Sequence, residues 1–218
     1  VPLLGSGGGP RRAVPILGRS PFLVVNGDTL TDVALAPVID AHRASGADVT
    51  MVVIPNPAPD RYNGVVAGDD RVVRGFIPKG HREPSWHFVG IQVANASVFM
   101  GLEDGRPAET VREVYRDLVA QRPGSVRIAP VDAVFHDVGT PADYLETCRA
   151  FGAVDARGNV VWPGASLPDG SPGADVRDSI VAGVHLPAGV TAVRTIFTPG
   201  AAGTGWTATP FGTLSANG

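Results

Sequence analysis

Short apolar runs along the chain alternate with segments of helical periodicity. The run Phe22–Val25 leads directly into the polar tip Asn26-Gly-Asp28, and residues 49–54 form a second run in which only Thr50 is polar. Between the two runs, apolar residues recur at helical spacing over residues 33–42. Strand, helix and strand in this order are typical of a parallel sheet covered on both faces. The pattern therefore predicts an α/β fold with a mostly parallel sheet, in which Phe22–Val25 is a buried central strand.

The helix between these two runs has recognisable ends. Thr31 or Asp32 is expected to cap its first turn, and Ser45-Gly46 is expected to end it. The pattern also predicts elements in both directions along the chain: a short helix over 13–18, a hairpin over 65–77, a strand over 86–93, a helix over 111–121, a strand over 126–134 and a helix ending at 149. Gly90, inside one of these strands, indicates that a ligand or another backbone approaches closely there.

Two aspartates follow predicted strands, at the positions that border a ligand crevice in open α/β sheets. Asp28 ends the first apolar run, and Asp137 follows the strand predicted over 126–134. Hard oxygen ligands at one edge suit Mg²⁺, which typically takes one or two carboxylates and leaves its other positions to phosphate and water. Asp28 is therefore the first candidate for chemistry. The alternative is that Asp28 only caps a turn before the next helix.

A glycine-rich segment opens the chain. Gly7, Gly8 and Gly9 follow Gly5-Ser6, and we expect a loop whose backbone can approach a planar ring or a phosphate closely because no Cβ intervenes. The segment matches neither of the common phosphate-binding glycine patterns. A flexible linker is the alternative interpretation.

Composition limits the classes of partner. The net charge of −3 provides no broad basic surface for nucleic acid or anionic lipid. No apolar run reaches the roughly 20 residues that a membrane span requires. The single cysteine, Cys148, excludes an internal disulfide, so we expect a cytoplasmic protein. The chain also has a single lysine, Lys79, among many arginines.

Glycine and apolar residues recur every six residues in the C-terminal part. Gly164 and Gly170 are six apart, as are Gly183 and Gly189, and Val184, Val190 and Ile196 keep the same step. Such a period predicts a short left-handed β-helix, in which each face of a triangular coil takes one hexad. We therefore expect a first domain over 1–152, a coil over 153–197 and a flexible tail over 198–218. A loop-rich tail with accidental spacing is the alternative.

Several short motifs occur in an order that resembles the sugar-1-phosphate nucleotidyltransferases, or NDP-sugar pyrophosphorylases. They are Leu4-Gly-Ser-Gly-Gly-Gly9, Asn26-Gly-Asp28, Tyr62-Asn-Gly-Val-Val66, Phe76-Ile-Pro-Lys79, the strand around Gly90 and Asp137-Val-Gly-Thr-Pro-Ala-Asp-Tyr144. The resemblance covers about residues 1 to 150 and is greatest to the bacterial mannose-1-phosphate guanylyltransferase-type branch. It implies a Rossmann-like sheet and an Mg²⁺-assisted transfer of a nucleotidyl group from an NTP, GTP above all, to a sugar 1-phosphate.

The resemblance also assigns roles to individual residues. Asp28 and Asp137 are expected to hold Mg²⁺, and Gly7, Gly8 and Gly9 to lie against the nucleobase. The sugar phosphate is expected to meet four residues: Asn26, Gly64, Lys79 and Gly90. Each glycine has a structural alternative in a turn or in tight packing, and Lys79 has one as a solvated hairpin residue. The short C-terminal coil implies packing on the catalytic domain or on a second subunit, which allows a homodimer.

Three departures from the family pattern qualify these roles. The family's first strand and its Gly-x-Gly-[Thr/Ser]-Arg loop have no equivalent here, and we expect them to precede Val1. Pro78-Lys79 replaces a Glu-Lys pair that is common in the family. Phe135-His136 precedes Asp137 at a position where the family has an aromatic residue, often Trp, followed by any residue. Two hypotheses remain open: an enzyme that is complete in its parent protein, and a non-catalytic remnant or regulatory subunit. A third, an unrelated α/β binding domain, predicts that Asp28 and Asp137 lie far apart.

Overall fold

The computed structural model describes residues 3–167, 175–200 and 206–216, which form two compact units. The N-terminal unit contains the described residues up to Gly27 together with Thr31–Phe135. The C-terminal unit contains Asp28–Leu30 and the described residues from His136 onward. Of the helices in the described ranges, none is both long and apolar enough to cross a membrane.

Helices and strands alternate through most of the described chain. The helices are α1 (Gly5–Leu17), α2 (Leu35–Ser45), α3 (Ser97–Met100), α4 (Arg116–Gln121) and α5 (Pro141–Phe151), and a π-helical segment (Thr110–Tyr115) leads into α4. The strands are β1 (Phe22–Val25), β2 (Thr29–Thr31), β3 (Val49–Pro55), β4 (Gly64–Ala67), β5 (Val73–Ile77), β6 (Trp86–Ala94), β7 (Val126–Pro130), β8 (Phe135–Asp137), β9 (Val160–Val161), β10 (Asp175–Arg177), β11 (Ile180–Val181), β12 (Val190–Pro199) and β13 (Trp206–Ala216).

The central sheet of the N-terminal unit has the order β5-β4-β6-β3-β7, with β1 also paired to β6. Among these pairs only β3 with β7 is parallel, so the prediction of a mostly parallel sheet is wrong. The physical reason is the position of β6. Gln92 of β6 is opposite Val24 of β1 on one side and Met51 of β3 on the other. β1 and β3 therefore run in the same direction, as their helical connection predicts, but an antiparallel strand separates them.

Strand β1 is less buried than its sequence predicts. Phe22, Leu23 and Val24 are half-buried, and Val25 is 50% exposed. Its strand pairing within the described residues is to β6 alone. The prediction of a buried central strand is therefore corrected to a half-buried strand with one partner, because an apolar run is compatible with either position.

Strand β3 is the centre of the core, as its sequence predicts. Its alternate side chains contribute to two apolar clusters. Val49, Met51 and Val53 pack in the cluster that includes Phe99 and Tyr115, and the opposite face joins Val38 of α2. Every residue from 49 to 54 is buried. Both faces of the sheet are therefore covered, which fixes the register of β3 and β6.

Helix α1 includes the glycine-rich segment that was predicted to be a loop. The Gly7 N–H donates a hydrogen bond to the Ala108 carbonyl over 2.7 Å. A Cβ on Gly8 would lie 2.5 Å from the Arg106 carbonyl oxygen. The loop prediction is thus wrong for Gly7, Gly8 and Gly9. At Gly7 and Gly8 the missing side chains allow this helix to pack closely on the segment 106–108.

The predicted cap of α2 is also corrected. Helix α2 begins at Leu35 without a side-chain cap, and Asp32 instead accepts a hydrogen bond from the Val134 N–H over 2.7 Å. Its C-terminal end is as predicted, because Gly46 takes a left-handed conformation with φ 65°. The hairpin β4–β5, strand β6 and the helical stretch from 110 to 121 confirm their predictions.

The C-terminal unit is built on short parallel strands. Ile180 of β11 is opposite Val160 of β9 and Ile196 of β12. Helix α5 belongs to this unit because Leu145 and Cys148 pack with Val160 and Ile180. The two compact units therefore divide between Phe135 and His136, before the boundary expected at residue 152. Gly170, part of the predicted six-residue period, lies outside the described residues.

Part of the predicted flexible tail is a strand. β13 pairs antiparallel with β12 from Trp206, opposite Pro199, to Ala216, opposite Val190. The Trp206 ring packs on Phe197 with a centroid distance of 5.4 Å. The prediction failed for 206–216 because the small and polar residues of this segment are typical of a flexible tail, whereas Trp206 at its start packs on β12. Residues 201–205 and 217–218 lie outside the described ranges.

Candidate functional site

The N-terminal unit contains a cavity of about 930 Å³, within the usual range for a small-molecule site. We call it the central cavity. Its lining comes from the start of α1, the end of β1, the loop before β4, the hairpin β4–β5, strand β6 and the helical stretch after residue 108. The lining residues are Ser6, Pro10, Val24, Asn26, Arg61, Tyr62, Asn63, Gly64, Val65, Phe76, Ile77, Pro78, His87, Phe88, Gln92, Glu109, Thr110, Val111, Arg112 and Arg116.

Gly64 and Lys79 lie at the two ends of the hairpin. Gly64 lines the cavity, and a Cβ on it would lie 2.5 Å from Ser85 Oγ and 2.7 Å from Ile77 Cγ1. Tight packing therefore explains this glycine without a ligand. Lys79 is exposed, and its backbone N–H donates to Asn63 Oδ1 over 3.0 Å. This bond ties the segment that carries Lys79 to a residue of the cavity wall.

Asn26 and Gly90 are in direct contact. The Asn26 N–H donates to the Gly90 carbonyl over 2.8 Å, and Gly90 has φ +79°. A Cβ on Gly90 would lie 2.9 Å from the Cβ of Asn26. A ligand or another backbone was predicted to approach Gly90 closely, and the structure shows that Asn26 does so through both its backbone N–H and its side chain. Asn26 lines the cavity, so Gly90 sets the position of a polar side chain there.

Asp28 and Asp137 belong to the C-terminal unit. Asp28 is exposed and precedes β2, whereas Asp137 is half-buried at the end of β8, and β2 pairs with β8. The Val138 N–H donates to the Asp28 carbonyl over 2.9 Å, which brings the backbones at the two aspartates together. Asp137 Oδ1 accepts from the Gly139 N–H over 3.0 Å. The hypothesis of an unrelated binding domain required these residues to be far apart, and the structure contradicts it.

Two carboxylates alone do not surround a metal ion. Within the described ranges, no group of three or more His, Cys, Asp or Glu side chains is arranged to hold one. Magnesium needs fewer protein ligands when phosphate and water complete its coordination. The donor types of Asp28 and Asp137, and the hydrogen bond between their segments, fit such an ion.

The glycines predicted to meet a nucleobase lie between two cavity residues, Ser6 and Pro10. Gly7 and Gly8 are buried against the segment 106–108, whereas a Cβ on Gly9 would have no neighbouring atom within 4 Å. Close packing therefore accounts for the first two glycines but not for Gly9. Contact with a nucleobase remains a prediction for all three.

Sequence reasoning missed the positive charge of the central cavity. Arg61, Arg112 and Arg116 line it, against the single carboxylate Glu109. Glu109 already accepts a hydrogen bond from the Ser6 hydroxyl over 2.9 Å. The spacing of Arg112 and Arg116, four residues apart in a predicted helix, was an available signal because such residues share a helix face.

An aromatic group borders the same cavity. The rings of Tyr62 and His87 are 4.3 Å apart, and both pack against Phe135 at 6.0 and 4.8 Å. The Arg61 guanidinium lies over the Tyr62 ring at 4.9 Å. Tyr62 and His87 are cavity residues, so the wall combines flat apolar surface with positive charge.

Gln92 is a polar residue where the strand pattern calls for an apolar one. It lies in the middle of β6, is only 2% exposed and lines the cavity. Its Oε1 atom has no hydrogen-bond partner in the described part of the chain. A buried acceptor without a partner is unfavourable, so Oε1 is a candidate acceptor for a ligand in the cavity.

Comparisons with known proteins find similar sequences and structures. A family model described as nucleotidyl transferase matches residues 11–152. A mannose-1-phosphate guanylyltransferase of Mycobacterium tuberculosis is 32% identical over 145 residues, which are 65% of this chain and 40% of that protein. A D-glycero-alpha-D-manno-heptose 1-phosphate guanylyltransferase of Aneurinibacillus thermoaerophilus is 28% identical over 141 residues, covering 65% of this chain and 60% of that protein.

A solved structure is similar in fold. HddC from Yersinia pseudotuberculosis, in complex with GMP-PN, superimposes with a TM-score of 0.58 at 21% identity, covering 69% of this chain and 64% of that chain. At this identity the likeness concerns the fold alone. The matched region spans 40% of the Mycobacterium tuberculosis relative and 60% of the Aneurinibacillus thermoaerophilus one.

Proposed function

Because the chain belongs to the nucleotidyl transferase family, we propose that it forms part of an enzyme that transfers a nucleotidyl group from an NTP to a sugar 1-phosphate. A phosphate oxygen of the sugar 1-phosphate attacks the α-phosphorus, the bond to the β-phosphate oxygen breaks, and pyrophosphate leaves. Two relatives named as guanylyltransferases favour GTP as the NTP and mannose 1-phosphate as the first sugar to test.

The observation that supports this proposal most is the hydrogen bond between the segments of Asp28 and Asp137. The bond adjoins the pairing of β2 with β8 and holds the backbone of the exposed Asp28 beside that of the half-buried Asp137. These two residues would hold Mg²⁺. When bound, the ion lowers the repulsion between two phosphate groups and helps to orient an in-line displacement.

The central cavity is the proposed site of the sugar phosphate. Asn26, two residues before Asp28, offers an amide to sugar hydroxyl groups, and the backbone of Gly64 forms part of the cavity wall. Lys79, held by Asn63, would supply a positive point charge to the sugar phosphate. Positioning and charge stabilisation by such groups are the main contributions that a protein makes to phosphoryl-type transfers.

The same proposal places the nucleobase near the start of α1. Gly9 is the member of the glycine segment with open space above its Cα, and it lies next to the cavity residue Pro10. A planar base can approach the backbone closely at such a position. Gly7 and Gly8 would then act by fixing the start of the helix rather than by contact.

For the C-terminal unit we propose a short left-handed β-helix that mediates dimerisation. Parallel pairing at steps of 16 to 20 residues supports a coil of about three hexads per turn: Ile180 pairs with Ile196, and Val160 with Ile180. Sedimentation equilibrium on the protein tests the dimer. A monomer at micromolar concentration would contradict it.

Enzyme assay of the full encoded protein tests the nucleotidyl transfer. With Mg²⁺, mannose 1-phosphate or glucose 1-phosphate and each NTP in turn, we expect pyrophosphate and an NDP-sugar to appear in equal amounts. Asp28→Asn and Asp137→Asn should each lower the rate by about 100-fold or more, since each removes a charged metal ligand. Asp69→Asn, which removes an exposed hairpin carboxylate, is the matched control. Product formation that survives both site substitutions would refute the proposed roles, and absence of product with every pair would refute the activity.

A further inference from the structure

We propose that Arg112 and Arg116 form the phosphate-binding wall of the central cavity, and that Gln92 Oε1 accepts a hydrogen bond from the uncharged part of the same ligand. The ligand class is a phosphorylated sugar. This inference deepens the proposed function and rests on it for the choice of ligand. Arg112 and Arg116 lie outside the motifs that carry the family resemblance, and Gln92 lies in the strand around Gly90.

Two arginines without partners carry the first half of the argument. The side chains of Arg112 and Arg116 line the cavity and make neither a hydrogen bond nor an ion pair within the described residues. Some other arginines are paired with carboxylates, such as Arg74 with Asp70 at 2.6 Å and Arg12 with Asp104 at 2.7 Å, but Arg112 and Arg116 line the cavity. Both residues are exposed, and two like charges four residues apart in a helical stretch repel each other weakly. An anion between them removes that repulsion.

Glu109 is the single carboxylate among the residues that line the cavity. Glu109 Oε2 accepts from Ser6, and its backbone N–H is bound by Glu113 Oε2 over 3.2 Å. Together with Arg61, the two arginines give the lining three guanidinium groups against one carboxylate. Guanidinium groups bind phosphate through paired, charge-assisted hydrogen bonds, so the excess charge selects a phosphate group.

Gln92 is the second feature of the cavity that indicates a ligand. Its side chain is buried in the middle of the sheet, between Val24 and Met51 on the neighbouring strands. An apolar residue of similar size would pack there without an unpaired acceptor. Because the residue lines the cavity, a ligand O–H or N–H can reach Oε1. A sugar provides several hydroxyl donors, whereas inorganic phosphate provides no uncharged part.

The remaining walls fit a ligand that is larger than a free anion. Val24, Phe76 and Phe88 supply apolar surface, and the volume of about 930 Å³ exceeds what one phosphate group fills. Apolar walls with a few converging polar groups are typical of sites for small organic molecules. The combination therefore favours a sugar phosphate over inorganic phosphate alone.

Isothermal titration calorimetry on the full chain, without Mg²⁺ or NTP, tests the wall. Mannose 1-phosphate, mannose and inorganic phosphate are the three probes, and we expect the first to bind most tightly. Arg112→Gln and Arg116→Gln should each weaken its binding by about 10- to 100-fold, the effect of one lost charge-assisted contact. Arg43→Gln, on the exposed surface of α2, removes an equal charge away from the cavity and should leave binding within about twofold.

A substitution at Gln92 separates a ligand contact from a structural role. Gln92→Met keeps the volume and removes the acceptor, so affinity for mannose 1-phosphate should fall about tenfold. The urea midpoint should stay the same or rise, because an unpaired buried polar atom is lost. A purely structural Gln92 would show the reverse: a lower midpoint and unchanged affinity.

The outcomes distinguish this inference from the proposed activity. If the wild-type chain binds none of the probes, or if both arginine substitutions leave the affinity unchanged, the inference is wrong. If the enzyme forms product and its KM for sugar phosphate is the same in both arginine variants, the activity stands and the inference fails. If binding depends on the arginines but no NTP gives product, the inference stands and the proposed activity fails.

Discussion

Gly90→Ala should destabilise the N-terminal unit for two separable reasons. Gly90 has φ +79°, a left-handed conformation that is unfavourable for a residue with a Cβ. The added Cβ would also lie 2.9 Å from the Asn26 Cβ, closer than such atoms are found in proteins. The Asn26 N–H bonds to the Gly90 carbonyl, so the backbone at the two sites cannot separate without breaking that hydrogen bond.

The two contributions have different magnitudes. The left-handed conformation costs about 1–2 kcal/mol for an alanine. Forcing a methyl group into a packed contact costs about 1–3 kcal/mol more. We therefore expect Gly90→Ala to lower the free energy of unfolding by about 2–5 kcal/mol in total. Gly124 provides a matched control because it has φ +93° and its Cβ would meet no atom within 4 Å. Gly124→Ala should lose only about 1–2 kcal/mol.

Urea unfolding measures the stability loss of both the Gly90 and the Gly124 substitution, because both residues lie in the N-terminal unit. Trp86 is at the start of β6, and replacing Trp162 and Trp206 by Phe in every variant leaves it as the single fluorescent indole. Asn26→Gly, which removes the opposing Cβ, should recover the steric part of the Gly90→Ala loss. Equal losses for the Gly90 and Gly124 substitutions, or no recovery with Asn26→Gly, would show that the Asn26 contact does not limit this position.

Four further changes test other parts of the chain. Burial raises the pKa of the Tyr115 hydroxyl, which has no hydrogen-bond partner in the described residues, so Tyr115→Phe should raise the free energy of unfolding by about 1 kcal/mol in urea titrations. Asn159 is fully buried, and its side-chain amide makes hydrogen bonds with Asp155 and with two backbone groups. Asn159→Leu should therefore destabilise the C-terminal unit by about 2–4 kcal/mol, measured by urea unfolding followed through Trp206 fluorescence. Partial burial by itself raises the pKa of Asp155, but hydrogen bonds from Asn159 and the backbone N–H of Arg157 outweigh it and lower that pKa. A lowered folded-state pKa stabilises the protein above the unfolded value, so stability should fall as the pH drops below about 4, and less steeply in Asp155→Asn. Gly9→Ala, with open space inside a helix, should stabilise α1 by about 0.5–1 kcal/mol and weaken NTP binding in calorimetry, whereas unchanged binding would remove Gly9 from the nucleotide site.

The elements of the N-terminal unit were largely predictable because their patterns are local. The run 49–54, the hairpin and the strand beginning at Trp86 each have apolar residues at strand spacing. Their arrangement was not predictable, because nothing in the apolar pattern of Trp86–Ala94 indicates that it lies between two strands that run the opposite way. The strand over 206–216 was missed for a related reason: its pairing with β12, rather than its composition, stabilises it.

The candidate site divides in the same way. Asn26, Gly64 and Gly90 were identified from short motifs, and the structure brings Asn26 into contact with Gly90. Arg112 and Arg116 were missed because their helix was interpreted only through its apolar face. A sequence shows which residues share a face, but tertiary packing decides whether that face meets solvent or a cavity.

The glycines of the site show why a motif residue need not contact the ligand. At Gly8 and Gly64 a Cβ would overlap atoms of the protein itself, at 2.5 Å in each case. A substitution at Gly64 would displace Ser85 or the cavity residue Ile77, and one at Gly8 would displace the backbone at Arg106, whether or not a ligand ever touches the glycine. Loss of activity on replacing either glycine is therefore equally consistent with contact and with displaced neighbours. A Cβ on Gly9 would meet no atom within 4 Å, so a substitution there displaces no neighbour. Of these three glycines, Gly9 is therefore the one at which a loss of activity would indicate contact with the ligand.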